Sequence, residues 1–194
     1  MLDSAMKTAG TGLAVAGAAM AVGLGLAIKK GAEFEQQITK AGAIAEASSA
    51  EFAMLKNAAM DLGASTSKSA SEVAVAMQQL AASGFDVNKI IGAMPGIISA
   101  AEASGENLAR VSEVVASALN AFQLEATDAT KVADVMSMAA NKSAASVDDM
   151  GFAFKYAAPI AKTLGVSLEE LAAATGIMRD AGLEGSQAGT TLRF

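Results

Sequence analysis

A chain of 194 residues without cysteine, histidine or tryptophan has no thiol nucleophile, no disulfide, none of the usual Cys/His zinc sites and no imidazole for proton transfer. Its formal charge is −6 and its 14 lysines and arginines are scattered, which excludes the clustered cations of a nucleic-acid footprint, so no direct nucleic-acid contact is expected. Hydrophobic residues make up 53% of the chain but aromatics only 4%, with 18 glycines and 11 methionines; such a chain is apolar enough to fold, and must fill its core by close helix contacts rather than with large side chains.

From Ala9 to Ile28 runs a stretch of twenty residues without a charge, flanked by Lys7 and by Lys29 and Lys30. As a helix it would reach about 30 Å, roughly the thickness of a bilayer core. Gly17, Ala21 and Gly25 lie four apart and line one face, the small-residue pattern that lets helices approach closely in membranes. Two readings stay open: a transmembrane helix, or an apolar helix held against copies of itself or another protein wall. A secretory signal fits less well, because the run is long, ends in two lysines and offers no convincing small-x-small cleavage site before polar sequence. Phe34, Ile38, Ala41 and Ala45 continue at helical spacing, so the apolar run can pass into one longer helix across Gly31.

Ser48 or Ser49 marks a new start, Phe52, Leu55, Ala59 and Leu62 form the stripe of the next helix, and Gly63 is expected to end it. The stretch from Ser69 to Ala100 then reads as two amphipathic helices around one tight turn. Ser69 and Glu72 form a capping box. Val73, Ala76, Met77 and Leu80 make the first stripe, Gly84 supplies a left-handed ending, and Phe85 falls where a Schellman closure packs it on Leu80. Asp86 is placed to cap the second helix, whose stripe is Val87, Ile90, Ile91, Met94 and Ile98. The two stripes must face each other or a third partner. Pro95 predicts a kink or restart.

After Ser104-Gly105, Leu108, Val111, Val115, Ala118 and Phe122 form another stripe, followed by a turn over Gln123–Ala126. Thr127 is a candidate cap for a helix bearing Val132, Val135, Met136 and Ala139, with Asn141 as its left-handed end. Ser146 and Asp149 resemble a capping box before Met150, Ala153, Phe154, Ala157, Ala161 and Leu164. Pro159 predicts a second kink. Gly165-Val166 repeats the Gly84-Phe85 closure, and Ser167 with Glu170 opens a helix carrying Leu168, Leu171, Thr175 and Met178. Turns at Gly84, Gln123 and Gly165 are about forty residues apart, which suits stacked helix pairs. The fold class is therefore all-α, amphipathic helical hairpins preceded by an apolar Ala/Gly-rich helix.

Little here can carry chemistry. Asp148–Asp149 and Glu169–Glu170 are paired carboxylates, yet both fall in first helical turns, where exposed N–H groups and the helix dipole stabilise negative charge. Lys155 and Tyr156 lack the spacing and the nucleotide fold of a reductase, and Gly23-x-Gly25 has Ile28 where a dinucleotide fingerprint needs glycine. No enzyme activity, cofactor or metal is expected. The methionines are most simply adaptable core filler.

Three runs carry a resemblance: Ala32–Ser48 (AEFEQQITKAGAIAEAS), Ser71–Ala101 (SEVAVAMQQLAASGFDVNKIIGAMPGIISAA) and Met150–Arg193. In this order they resemble the core region of phage tail tape measure proteins, with the block Gly182–Arg193 (GLEGSQAGTTLR) as the most specific part. The resemblance implies a structural tail component, an elongated helical protein inside the tail tube that acts as a ruler for tail length and leaves ahead of DNA at infection. It implies tail tube and tail tip proteins, tail assembly chaperones and further copies of itself as partners, a host membrane or inner-membrane protein as a further one, and a location in the tail lumen, after assembly in the host cytoplasm. It divides the chain into an apolar segment 1–31 and a core region 32–194 that belongs to a longer protein. The competing reading is a membrane-active or partner-binding helical module derived from a tail protein.

Overall fold

The computed structural model describes residues 27–192. The chain divides into two units, 1–36 and 37–194, and the packing below is that of the second. Helix α1 (27–44) passes through Gly31 without a break; the run before residue 27, with Gly17, Ala21 and Gly25, lies outside the described residues. There follow α2 (Ser49–Ser65), α3 (Ala70–Ala82), α4 (Val87–Ser104), α5 (Leu108–Phe122), a 3-10 turn (Ala126–Asp128), α6 (Ala129–Lys142), α7 (Val147–Thr163), α8 (Leu168–Asp180) and α9 (Gly185–Thr191). No strand occurs among the described residues, and the fold is all-α.

The helices start where short polar side chains can accept the free N–H groups of a first turn. Reciprocal boxes close Ser48 with Glu51, Ser69 with Glu72, Ser146 with Asp149 and Ser167 with Glu170. Asp86 accepts from Lys89 N–H at the head of α4, and Asn107 from Ala109 and Arg110 N–H at the head of α5. Gly84 and Gly165 are left-handed, at φ +88° and +78°. Behind them the N–H groups of Phe85 and Val166 reach back to the carbonyls of Leu80 and Ala161, at 3.2 and 2.8 Å. These are the 6→1 bonds of a Schellman closure.

The turns recur in register. The N-cap positions of α3, α5, α7 and α9 are Ser69, Asn107, Ser146 and Glu184, 38, 39 and 38 residues apart. Before three of them stands the same local device. Thr66, Ser104 and Ser143 each donate a hydroxyl to the carbonyl four residues back and accept the N–H two residues on. Left-handed residues close α1, α3, α5 and α7 at Glu46, Gly84, Gln123 and Gly165, spaced by 38, 39 and 42 residues. The longest interval is the one that contains the three-residue 3-10 turn.

Such periodicity is the signature of stacked helix pairs in which each repeat contacts its neighbours. Packing follows it: α3, α5, α7 and α9 lie side by side as one layer, and α2, α4, α6 and α8 as the other. The stripes of α3 and α4 thus find their main partners in α5 and α6, not in each other. Residues five positions after the odd-layer caps are small, namely Ala74, Ser112, Gly151 and Gly189, the first two fully buried. A Cβ on Gly151 would come within 2.8 Å of Val114 on α5, and one on Gly189 within 2.9 Å of the Phe152 carbonyl on α7. Phe154 and Phe122 meet edge to face at 6.3 Å where α7 crosses α5.

Several expectations need correction. Gly63 does not end α2; the helix runs on to Ser65, with Thr66 bonded back to Leu62. Gly63 is small because Ala70 crosses it, and a Cβ there would sit 2.5 Å from the Ala70 nitrogen. Thr127 does not cap α6, since it lies inside the 3-10 turn and α6 begins at Ala129. Asn141 is helical, and α6 ends at Ser143 in an extended conformation. The helix does not restart at Pro95: α4 is continuous through it, as α7 is through Pro159. Leu164, placed on the core stripe of α7, is 74% exposed, because the closure at Gly165 begins there and turns it outward.

A Cβ on Gly84 would meet nothing within 4 Å, so substitution there tests backbone strain alone. Gly84→Val should destabilise by about 1 kcal/mol or more in urea denaturation. Gln123, left-handed at φ +53° with a side chain, should respond with the opposite sign: Gln123→Gly should be stabilising by up to about 1 kcal/mol, less the entropy glycine adds to the unfolded chain.

Candidate functional site

The residues singled out at turns do not converge. Ser69 and Glu72 sit at the head of α3, while Gly84, Phe85 and Asp86 lie at its far end, about 20 Å away along a helix of this length. Gly165, Ser167 and Glu170 form the equivalent turn two repeats later. Each is accounted for by ending one helix and beginning the next.

What does converge is a carboxylate that capping logic identifies only in part. Asp149 completes the capping box of α7, its Oδ2 accepting from the Ser146 N–H and hydroxyl, both at 2.8 Å. The same oxygen accepts Arg179 Nε from the last turn of α8 at 2.9 Å, and Oδ1 accepts the Gly185 N–H at the start of α9 at 3.0 Å. One side chain, 8% exposed, therefore ties three helices together. Burial works to raise its pKa, but the Ser146 N–H and hydroxyl and the Arg179 guanidinium outweigh it and hold the carboxyl below its ordinary value of 3.8. A carboxylate held ionised with every donor in place is an anchor, not a proton shuttle.

The adjoining segment explains a compact block of sequence. Gly182 is left-handed at φ +88° and Leu183 N–H closes on the Met178 carbonyl. Glu184 N–H is capped by the Gln187 side chain. Gly185 and Gly189, one turn apart, lay α9 directly on α7: a Cβ on Gly185 would be 2.5 Å from Asp149 Cα. Ala188 between them is fully buried. Gly182, Gly185, Ala188 and Gly189, small residues crowded into one short block, are the signal visible in the sequence. The Arg179–Asp149 link, thirty residues apart, has none.

A second feature is a shallow apolar groove of about 290 Å³ between α6 and α8, with Val135, Met138 and Ala139 on one wall and Ala172, Ala173 and Ile177 on the other. Met138 is 58% and Ile177 70% exposed. Lys131 and Glu169 pair across the two helices at 2.9 Å near one end. Among the described residues no group of three His, Cys, Asp or Glu side chains could hold a metal ion, and no helix is long and apolar enough to cross a membrane.

Residues 56–194 match the family described as phage-related minor tail protein. The chain belongs to that family. Among its curated relatives, the tape measure protein of Pneumococcus phage Dp-1 is 49% identical over 193 residues, covering 99% of this chain and 17% of the relative. The probable tape measure protein of Escherichia phage P2 is 38% identical over 192 residues, covering 98% and 23%. The chain thus spans less than a quarter of either. No solved structure matches it. The family match includes the Gly182–Arg193 block, whose described residues, 182–192, adjoin the clasp around Asp149.

Asp149→Asn and Arg179→Met should each destabilise by about 1–3 kcal/mol at neutral pH, the cost of a lost charged bond and unpaired partners. Because the folded pKa of Asp149 is depressed, its contribution is present above pH 3.8 and is lost as the pH falls through the folded value. Urea titrations of the Asp149→Asn and unaltered chains should therefore begin to converge only below pH 3.8 and meet below the folded value. A gap that persists into acid would assign the loss to shape and not to charge.

Proposed function

We propose that this chain is the helical core region of a tape measure protein, a structural component of a phage or phage-like tail that templates assembly and length of the tail tube. The observation that carries the proposal is the match of nearly the whole chain to two tape measure proteins within a minor tail protein family. The two-layer helix stack supports it: this is a scaffold of packed repeats, in which the buried carboxylate of Asp149 is committed to holding helices together. The role is structural, not enzymatic. Tail tube and tail tip proteins, assembly chaperones and further copies are its partners in the tail, and passage of the genome across the host membrane is a further role of the full protein. The uncharged run Ala9–Ile28 is what favours contact with a membrane or an inner-membrane protein.

Stack geometry turns the ruler into arithmetic. A pair of stacked helices advances its layer by one interhelical distance, about 8–10 Å. The same residues in one extended helix would cover nearly 60 Å at about 1.5 Å each. Deleting the pair 107–145 from the tape measure of a phage that carries this region should block assembly, or change tail length by about 10 Å at most. Removing an equal number of residues from an extended helical portion elsewhere in that protein should shorten tails by about 60 Å. Electron microscopy of purified tails reads both. Tails of unchanged length after the second deletion would eliminate the ruler and leave a membrane or partner-binding module.

A further inference from the structure

We propose that the groove between α6 and α8 is the surface through which two copies of this chain pair, about a two-fold axis along the groove that sets α6 of each copy over α8 of the other. The two helices run side by side in the same direction. Lys131 meets Glu169 near their heads, and at their tails Gly176 lies against Ser143 while Asp180 accepts the Ala144 N–H. Along the groove α6 turns outward Lys131, Val135, Met138 and Lys142. On α8 the matching residues are Glu169, Ala173, Ile177 and Asp180. Each set keeps to one helix face by its spacing. Both read charged, apolar, apolar, charged, and the charges are basic on one wall and acidic on the other.

That division of charge makes the groove complementary to itself. A two-fold interface lays one patch on the same patch of another copy. With the axis along the groove, each basic wall lies over an acidic one: Lys131 faces Glu169 at one end, Lys142 faces Asp180 at the other, and Met138 comes level with Ile177. These two apolar side chains are 58% and 70% exposed in the single chain, and in the pair the four of them close into one layer. An axis across the groove would instead turn the helices antiparallel and set each wall on its own kind, lysine near lysine and carboxylate near carboxylate, which opposes association. Two faces of two short helices make a small interface, so the pair is a weak one. The pairing gives a surface to the further copies proposed above and rests on that reading for its place in a tail. It is measured on the purified chain, so its failure would leave the tape measure reading standing.

The absence of cysteine makes the test direct. Met138→Cys and Ile177→Cys versions of the 194-residue chain are mixed in equal amounts at about 1 mM, which suits a weak interface, and oxidised with diamide. Mass spectrometry tells the mixed disulfide dimer from the two like dimers. Because the pairing sets position 138 opposite 177, the mixed dimer should exceed either like dimer about tenfold, against about twofold for random collision. Lys131→Glu in both chains sets carboxylate over carboxylate and should lower the mixed dimer severalfold. Lys131→Glu in one chain with Glu169→Lys in the other should restore it, since every facing pair is again of opposite sign. A mixed dimer at the random ratio, or an excess of like dimers, would overturn the proposal. A yield indifferent to Lys131→Glu, or raised by it as antiparallel pairing requires, would overturn it too.

Discussion

Each helix from α4 onward rests on the helix two places before it, and the distance at which it can do so governs the rest. In the odd layer that distance is set by small residues five positions after the cap, and in the even layer by glycines at differing positions. Ala74, Ser112, Gly151 and Gly189 in the odd layer hold the backbones close, as Gly96 and Gly176 do in the even layer. At such separations methyl groups, methionines and short branched side chains fill the space, which is why 4% aromatic content suffices. Dispersion between closely packed backbones and many small apolar contacts replaces the burial of a few large rings. A bulky residue at any of these positions would not leave a local defect; it would lift one helix from its neighbour along a whole face.

Close stacking also decides where polar groups go. The capping carboxylates stay at the rims, where exposed N–H groups need them, and only where a rim is covered does one become buried. Asp149 is that case, because α9 lies across the head of α7 and contributes the Gly185 N–H. Its electrostatics are those of a capping residue with one more helix attached. Polar links between repeats lie at the same rims. Glu102 accepts from the Ser67 N–H and hydroxyl, and Asp180 from the Ala144 N–H, a pair of contacts two repeats apart in the chain. Inside, the buried Ser112 and Thr175 hydroxyls donate to carbonyls of their own helices, and the rest is apolar packing.

These facts separate what is legible in the sequence from what is not. Helix heads are readable because a serine and an acid three residues later have one efficient local use. Left-handed glycines are readable when a hydrophobe follows. Gly63 misleads because glycine answers two demands, positive φ and close approach, and only the tertiary fold says which; Ala70 settles it. Thr127 and Asn141 mislead because a 3-10 turn and an extended serine can do what a cap and a left-handed residue do elsewhere. The spacing of about forty residues is visible, yet the pairing of α3 with α5 in preference to α4 is not, since an amphipathic stripe states that a face is buried and not by what. Of the clasp, the glycines can be seen and the partner of Arg179 cannot.

The inserted 3-10 turn shows what the stack holds constant. Between the left-handed Gln123 and Asp128, the cap of α6, the chain is three residues longer than between Gly84 and Asp86, the cap of α4, and the difference is taken up by Ala126–Asp128, with Asp128 Oδ2 accepting the Glu125 N–H. Had they lengthened α6 at its head, every side chain beyond would have turned through most of a helical turn, and the stripe of Val132, Val135, Met136 and Ala139 would have left the core. Coiling the extra residues at the rim preserves that stripe. The constraint on this region is therefore the register of faces between helices, not the length of chain that joins them. A region so constrained makes a sound packed unit and a poor ruler, because its extent grows with the number of helix pairs and hardly at all with the residues each pair contains. In a protein that measures length along one axis, such a unit belongs where position must be fixed, and the measuring falls to chain that runs on without folding back.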